Sequence, residues 1–118
     1  MYGKTSWIIA DGFMSDTKID NYVSHEAVCV LNLSESVANI KLSVYFEDRE
    51  PLTDFFATCE RNRTNHIRLD KIENNKGEKI PKEVPYALFV ESNVPIICQH
   101  SRMDVSDPNI TLMTTVAY

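Results

Sequence analysis

Two short stretches carry the side chains most able to do chemistry. In Cys98-Gln99-His100-Ser101-Arg102-Met103-Asp104, an imidazole, a guanidinium and a carboxylate follow the cysteine at every second position. The order His-x-Arg-x-Asp recurs in His66-Ile67-Arg68-Leu69-Asp70, just after Arg63. Side chains two apart on a β-strand share a face, so each stretch would set its ionisable groups in a row. A strand needs no such row to fold, and the row therefore asks for a partner, a ligand or a charge network. Guanidinium groups pair bidentately with carboxylate and phosphate. Two such rows in one sheet could satisfy each other, or they could meet another subunit or an anionic ligand.

Other chemistries have weaker support. The three histidines, His25, His66 and His100, fall on three different predicted strands. Three imidazoles and a carboxylate would suit a transition metal inside a β-barrel. The close His-x-His pair of cupin-type metal enzymes is missing, however, so hydrogen bonding within a sheet or at an interface is the simpler assignment, with no metal and no cofactor expected. Ser24-His25-Glu26 looks like a triad in text, but neighbours on a strand point to opposite faces. A nucleophile in a strained turn and an oxyanion hole are not signalled either, so no catalytic residue is assigned. The chain has only Gly3, Gly12 and Gly77, and none forms a phosphate-binding loop. Trp7 lies among apolar residues and fits core packing; an aromatic wall for a sugar or a partner is its other role.

The elements that must hold these residues are strands. Ala38, Ile40, Leu42, Val44 and Phe46 alternate with Asn39, Lys41, Ser43 and Tyr45, giving one buried and one mostly polar face. Further strands are predicted at 6–10, 24–33, 53–59, 64–70, 86–91, 96–104 and 111–117, with turn chemistry between them. The turns are Asp11-Gly12, residues 33–36, residues 48–51, residues 74–77 and Asp107-Pro108-Asn109. A short helical turn fits 68–74. The longest predicted loops are 73–85 and 11–22. Eight short strands in one domain spanning 1–118 predict an all-β fold, a two-sheet antiparallel β-sandwich of jelly-roll type.

Composition bounds the function. The 118 residues carry a net charge of −5, which argues against nucleic acid or an anionic membrane surface as a default partner. Cys29, Cys59 and Cys98 are odd in number and far apart, so no disulfide framework or zinc site is signalled. Cys29 and Cys98 sit in apolar runs and are expected in the core. No apolar run is long enough to span a bilayer, and the N-terminus lacks the apolar stretch of a signal peptide. A reduced cytoplasm is the expected location.

The motifs, taken in order, resemble the sensory rhodopsin transducer family over Gly3 to Tyr118. The resemblance rests on Gly3-Lys4-Thr5 with Trp7, Ala10 and Gly12, on Ser24-His25-Glu26 with Val28-Cys29, and on Asn32, Asp48 and Glu50-Pro51. Arg63-Thr64 with His66 and Arg68, Ser92-Asn93-Val94-Pro95, Gln99-His100, Arg102, Asp104 and the closing Ala117-Tyr118 complete it. It implies a jelly-roll sandwich assembled as a ring-like homotetramer. It also implies non-enzymatic signalling by contact with the cytoplasmic face of a membrane photoreceptor, or with another signalling protein. The 11–22 and 60–62 segments depart from the family pattern. On this reading Trp7, His25, Glu26, Arg63, His66, Arg68, Gln99, His100, Arg102 and Asp104 form the polar site or the subunit interface. The alternative is a module that binds a sugar or an organic anion. It predicts a pocket with an accessible aromatic beside the His/Arg row.

Overall fold

The computed structural model describes residues 2–107 and 109–118. Within the predicted turn at 107–109, Pro108 lies outside the described residues. Nine strands follow one another: β1 (Lys4–Gly12), β2 (Lys18–Ile19), β3 (Tyr22–Val23), β4 (His25–Asn32), β5 (Ala38–Phe46), β6 (Leu52–Cys59), β7 (Arg63–Arg68), β8 (Tyr86–Asp104) and β9 (Thr111–Val116). All pairings are antiparallel. One layer has β1 and β5 flanking the first half of β8, with β6 outside β5. The other has β4 and β9 flanking the second half of β8, with β7 outside β4. The inner faces meet in one core. Ile9, Leu42, Val44, Phe55, Leu88 and Val90 face Val28, Val30, Ile67, Ile96, Cys98 and Ala117.

The all-β sandwich agrees with the sequence, and three local expectations do not. Residues 86–91 and 96–104 belong to one 19-residue strand rather than two. The sequence Ser92-Asn93-Val94-Pro95 has the chemistry of a break, yet the chain here is passing between layers. Pairing to β5 ends at Ser92 and pairing to β4 begins at Ile97, so Pro95, which has no N–H, interrupts neither ladder. The 11–22 segment holds the small β2–β3 ribbon, turning at Asp20 (φ 53°). Residues 69–71 form a single turn rather than a helix, in which the amides of Lys71 and Ile72 both donate to the Arg68 carbonyl, and Glu73 and Asn74 pair in bridges with Lys79 and Phe55.

The bend of β8 is clasped by the N-terminal strand. Lys4 pairs with Ile96, and the Trp7 indole N–H donates to the Ile96 carbonyl at 2.9 Å. Gly3 sits so close that a Cβ there would lie 2.5 Å from the Ile96 oxygen, and its φ of +96° favours glycine in any case. Trp7 thus packs on the core and holds the crossover strand, while Lys4 Nζ lies 4.2 Å above its ring. A straight strand would carry Tyr86 about 46 Å from His100, at 3.3 Å per residue. The crossover instead returns the second half of β8 over the core, and both residues reach one carboxylate.

Candidate functional site

That carboxylate is Glu26, which is 0% exposed. It occupies the inner face of β4, in the same alternation as Val28 and Val30. Four donors surround it. The Tyr86 hydroxyl and His100 Nε2, at 2.9 Å, meet Oε1; Arg102 Nε, at 2.5 Å, and the Phe13 amide, at 3.0 Å, meet Oε2. Arg102 is directly opposite Glu26 in the β4–β8 register, and His100 is opposite Val28. Arg102 also faces Asp11, whose carboxylate lies 3.8 Å from its guanidinium.

Burial alone would raise the Glu26 pKa. Hydrogen bonds from His100, Tyr86 and the Phe13 amide outweigh that penalty and hold the carboxyl below its ordinary range. Tyr86 moves the other way, because burial and the adjacent charge of Glu26 both disfavour a phenolate. Gly12 makes room for this tyrosine: a Cβ at Gly12 would sit 2.4 Å from the Tyr86 ring. Beneath the cluster, burial pushes the Cys98 thiol up to about 12. Asp104 ends the row as the last residue of β8, where its carboxylate accepts the Ser106 amide at 2.7 Å.

The second row lies elsewhere. β7 pairs with β4 and not with β8, and His66 and Arg68 stand opposite Cys29 and Ala27. Those positions alternate with Val28, so His66, Arg68 and His25 are on the outer face while His100 and Arg102 are on the inner one. The two His-x-Arg-x-Asp rows share a sheet but point away from each other and form no common site. Arg68 makes its own bidentate pair with Asp70, at 2.8 Å for both contacts. Burial opposes ionisation of Asp70, yet that guanidinium holds its pKa below the usual value. His25 Nδ1 is 2.8 Å from the Val23 carbonyl. His66 and Gln99 are exposed, and exposed Arg63 donates to the Asn62 carbonyl at 3.0 Å. The histidines therefore do not converge, and among the described residues no three His, Cys, Asp or Glu side chains gather as metal ligands. Cys29 also departs from expectation: it is half-buried on the outer face, near the Ser101 hydroxyl, while Cys98 is in the core.

Tyr86 is the member of the cluster that sequence reasoning missed. It shares the alternation of Leu88 and Val90, and a tyrosine on a core face needs a partner for its hydroxyl. In the sequence Asn32 stands out only as part of a motif. It is fully buried and ties three strand ends, donating to the Ser36 and Cys59 carbonyls and accepting the Ser34 amide.

A groove of about 210 Å³ opens between the edges of β1 and β9, with His100 on its floor and Tyr118 at its rim. Backbone bonds between Ile8 and Tyr118 close one end.

With this geometry in place, the relatives are informative. The model of the family described as Anabaena sensory rhodopsin transducer matches residues 2–118. The chain belongs to that family. Among solved structures, the crystal structure of Thermotoga maritima 1070 is 37% identical, with a TM-score of 0.90 over 100% of this chain and 96% of that one. The Anabaena sensory rhodopsin transducer itself is 34% identical, with a TM-score of 0.77 over 87% of this chain and 90% of that one. No curated protein matches. Among the described residues, no helix is long and apolar enough to cross a membrane.

Proposed function

We propose that this chain is a non-enzymatic cytoplasmic signalling adaptor, working by protein–protein contact as a homotetramer. By analogy with its relative's name, its input would come from a membrane photoreceptor. One observation carries the reading: large apolar side chains stand exposed along several strands. Ile8 is 53% exposed, Phe56 61%, Leu112 75% and Val116 64%. Surfaces of this kind mark contacts with other proteins. The ionisable groups of the inner row support the same view, because Glu26, Tyr86 and Arg102 are committed to one another and hold the sheets together. The organic-anion alternative is weaker, since Arg102 and Arg68 already face Glu26 and Asp70.

Sedimentation at micromolar concentration should give a four-chain species, and Val116→Asp or Phe56→Asp should dissociate it or abolish partner capture. A monomer at every concentration would sink the assembly. For the photoreceptor, the purified chain should bind detergent-solubilised retinal protein from its native host, with an affinity that changes on illumination. Binding indifferent to light would remove the photosensory part and leave the adaptor.

A further inference from the structure

We propose that Glu83 is the latch of a conformational switch, coupled through a one-way chain of three hydroxyls to Val105, the residue that follows β8. The segment between β1 and β2 is pinned at every residue from 13 to 17. At its ends the Phe13 amide donates to Glu26, and the Thr17 carbonyl accepts the Ser24 amide. Glu83 ties down the middle. Its amide donates to the Met14 carbonyl at 2.8 Å, and its Oε1 accepts the Asp16 amide at 2.7 Å and the Ser15 hydroxyl at 3.3 Å. It does so from an exposed position with a φ of 62°, a left-handed conformation that costs a non-glycine residue free energy. A contact both exposed and strained opens before the core does.

The hydroxyls carry the state of Glu83 inward. Ser15 Oγ lies 3.0 Å from Thr17 Oγ1, which lies 2.7 Å from Ser24 Oγ, and that oxygen accepts the Val105 amide at 2.9 Å. The two ends fix the direction. A backbone N–H only donates, a carboxylate only accepts, and each hydroxyl has one hydrogen. Ser15 therefore gives its hydrogen to Glu83, Thr17 gives its own to Ser15, and Ser24 gives its own to Thr17. Reversing the chain would leave the Ser24 hydrogen with no acceptor among the described residues, at a site 1% exposed, which is costly. Bonds in such a chain polarise one another, so losing the terminal carboxylate weakens each bond up to Val105. A partner's ammonium or guanidinium group pairing with the exposed carboxylate would draw it off Ser15 and Asp16. The start of the connection to β9 would loosen in response. The coupling belongs to the isolated chain and does not depend on the adaptor reading.

Amide hydrogen exchange of the full isotope-labelled chain, read by NMR, tests the coupling. In Glu83→Ala the Val105 amide should exchange about three- to tenfold faster, the worth of one hydrogen bond. Amides of the β5–β6 ladder should keep their rates and report an intact fold. Ser15→Ala cuts the chain but leaves the Glu83 backbone contact in place, and it should speed Val105 comparably. Glu83→Gln keeps an acceptor oxygen and should change the rate by less than about twofold. Thr17→Val breaks the chain in its middle, so adding Glu83→Ala to that variant should change Val105 by no more than about twofold. An unchanged Val105 rate in Glu83→Ala or Ser15→Ala overturns the proposal. Equal effects of the glutamine and alanine variants do the same, as does a full Glu83→Ala response in the Thr17→Val chain. Exchange that rises equally through the β5–β6 ladder also overturns it, since Glu83 would then be a general support of the fold.

Discussion

Removing the Glu26 carboxylate is the perturbation with the largest expected consequence. In Glu26→Ala the Tyr86 hydroxyl, the His100 Nε2–H, the Arg102 Nε–H and the Phe13 amide lose their acceptor together. Each buried donor left unsatisfied costs about 1–3 kcal/mol. Tyr86 and His100 are buried, whereas Arg102 is partly exposed and recovers water. Breaking a buried charged pair costs about 3–5 kcal/mol in total, and a loss of about 4 kcal/mol is expected here. A domain of this size is stable by only about 5–15 kcal/mol, so a large share would go. Glu26→Gln should lose about 2–3 kcal/mol, since the amide keeps one acceptor but turns an NH2 toward a donor. Tyr86→Phe should lose about 1 kcal/mol, because the carboxylate keeps its other partners. Urea unfolding at one fixed protein concentration measures all three, with constant slope and midpoints falling in the order Tyr86→Phe, Glu26→Gln, Glu26→Ala. A change below about 1 kcal/mol for Glu26→Ala would refute the idea that this carboxylate pins the two layers.

Acidification should reproduce part of that loss. The folded-state pKa of Glu26 is lowered, so its contribution is complete above the ordinary value of 4.5 and disappears as pH falls through the lower folded value; the stability of Glu26→Gln should fall less steeply below pH 4.5. A double-mutant cycle between Glu26→Gln and Arg68→Ala should be additive within about 0.5 kcal/mol, because the two rows occupy opposite faces, whereas Glu26→Gln with Tyr86→Phe should be clearly non-additive. Gly12→Ala should cost about 1–3 kcal/mol in urea unfolding, because the new Cβ meets the Tyr86 ring, and Tyr86→Leu placed in the same chain should relieve most of that clash.

The fold and the site were legible to different depths. Period-two alternation placed the strands, because each buries one face: Ile40, Leu42 and Val44 were assigned to the core and are buried there. The break at 92–95 was misread because Pro and Asn end strands and also allow a strand to change layers, and local chemistry is the same in both cases. The rows were legible as rows. Their relative placement was not, because alternation within a strand says nothing about which strand lies beside it. The faces held a clue. Ile67 and Leu69 alternate with His66 and Arg68, while Cys98 shares its face with His100, so one row runs opposite the core and the other runs into it. Only the pairing of β4 with both β7 and β8 shows that Glu26 meets one row and not the other.

The same three residue types therefore serve two physical ends on one sheet. On the inner face, a carboxylate on β4 receives donors from both halves of β8, and Tyr86 and His100 can share it only if the crossover at 92–95 is formed. Glu26 thus reads out the correct stacking of the two layers. A charged cluster of this kind adds little over an apolar core of equal volume but penalises any arrangement that leaves its members unpaired. On the outer face, Arg68 and Asp70 pair near the surface, and His66 and Gln99 stand free beside them. A change at the outer face can reach the inner cluster through β4 or through the second half of β8, since the side chains of both strands alternate between the two faces. A partner that shifts β4 by one register step would exchange Glu26 with its neighbours and strand all four donors. Coupling through β4 therefore has to work by small displacements of a rigid strand, or by local opening of the β9 edge, and not by sliding.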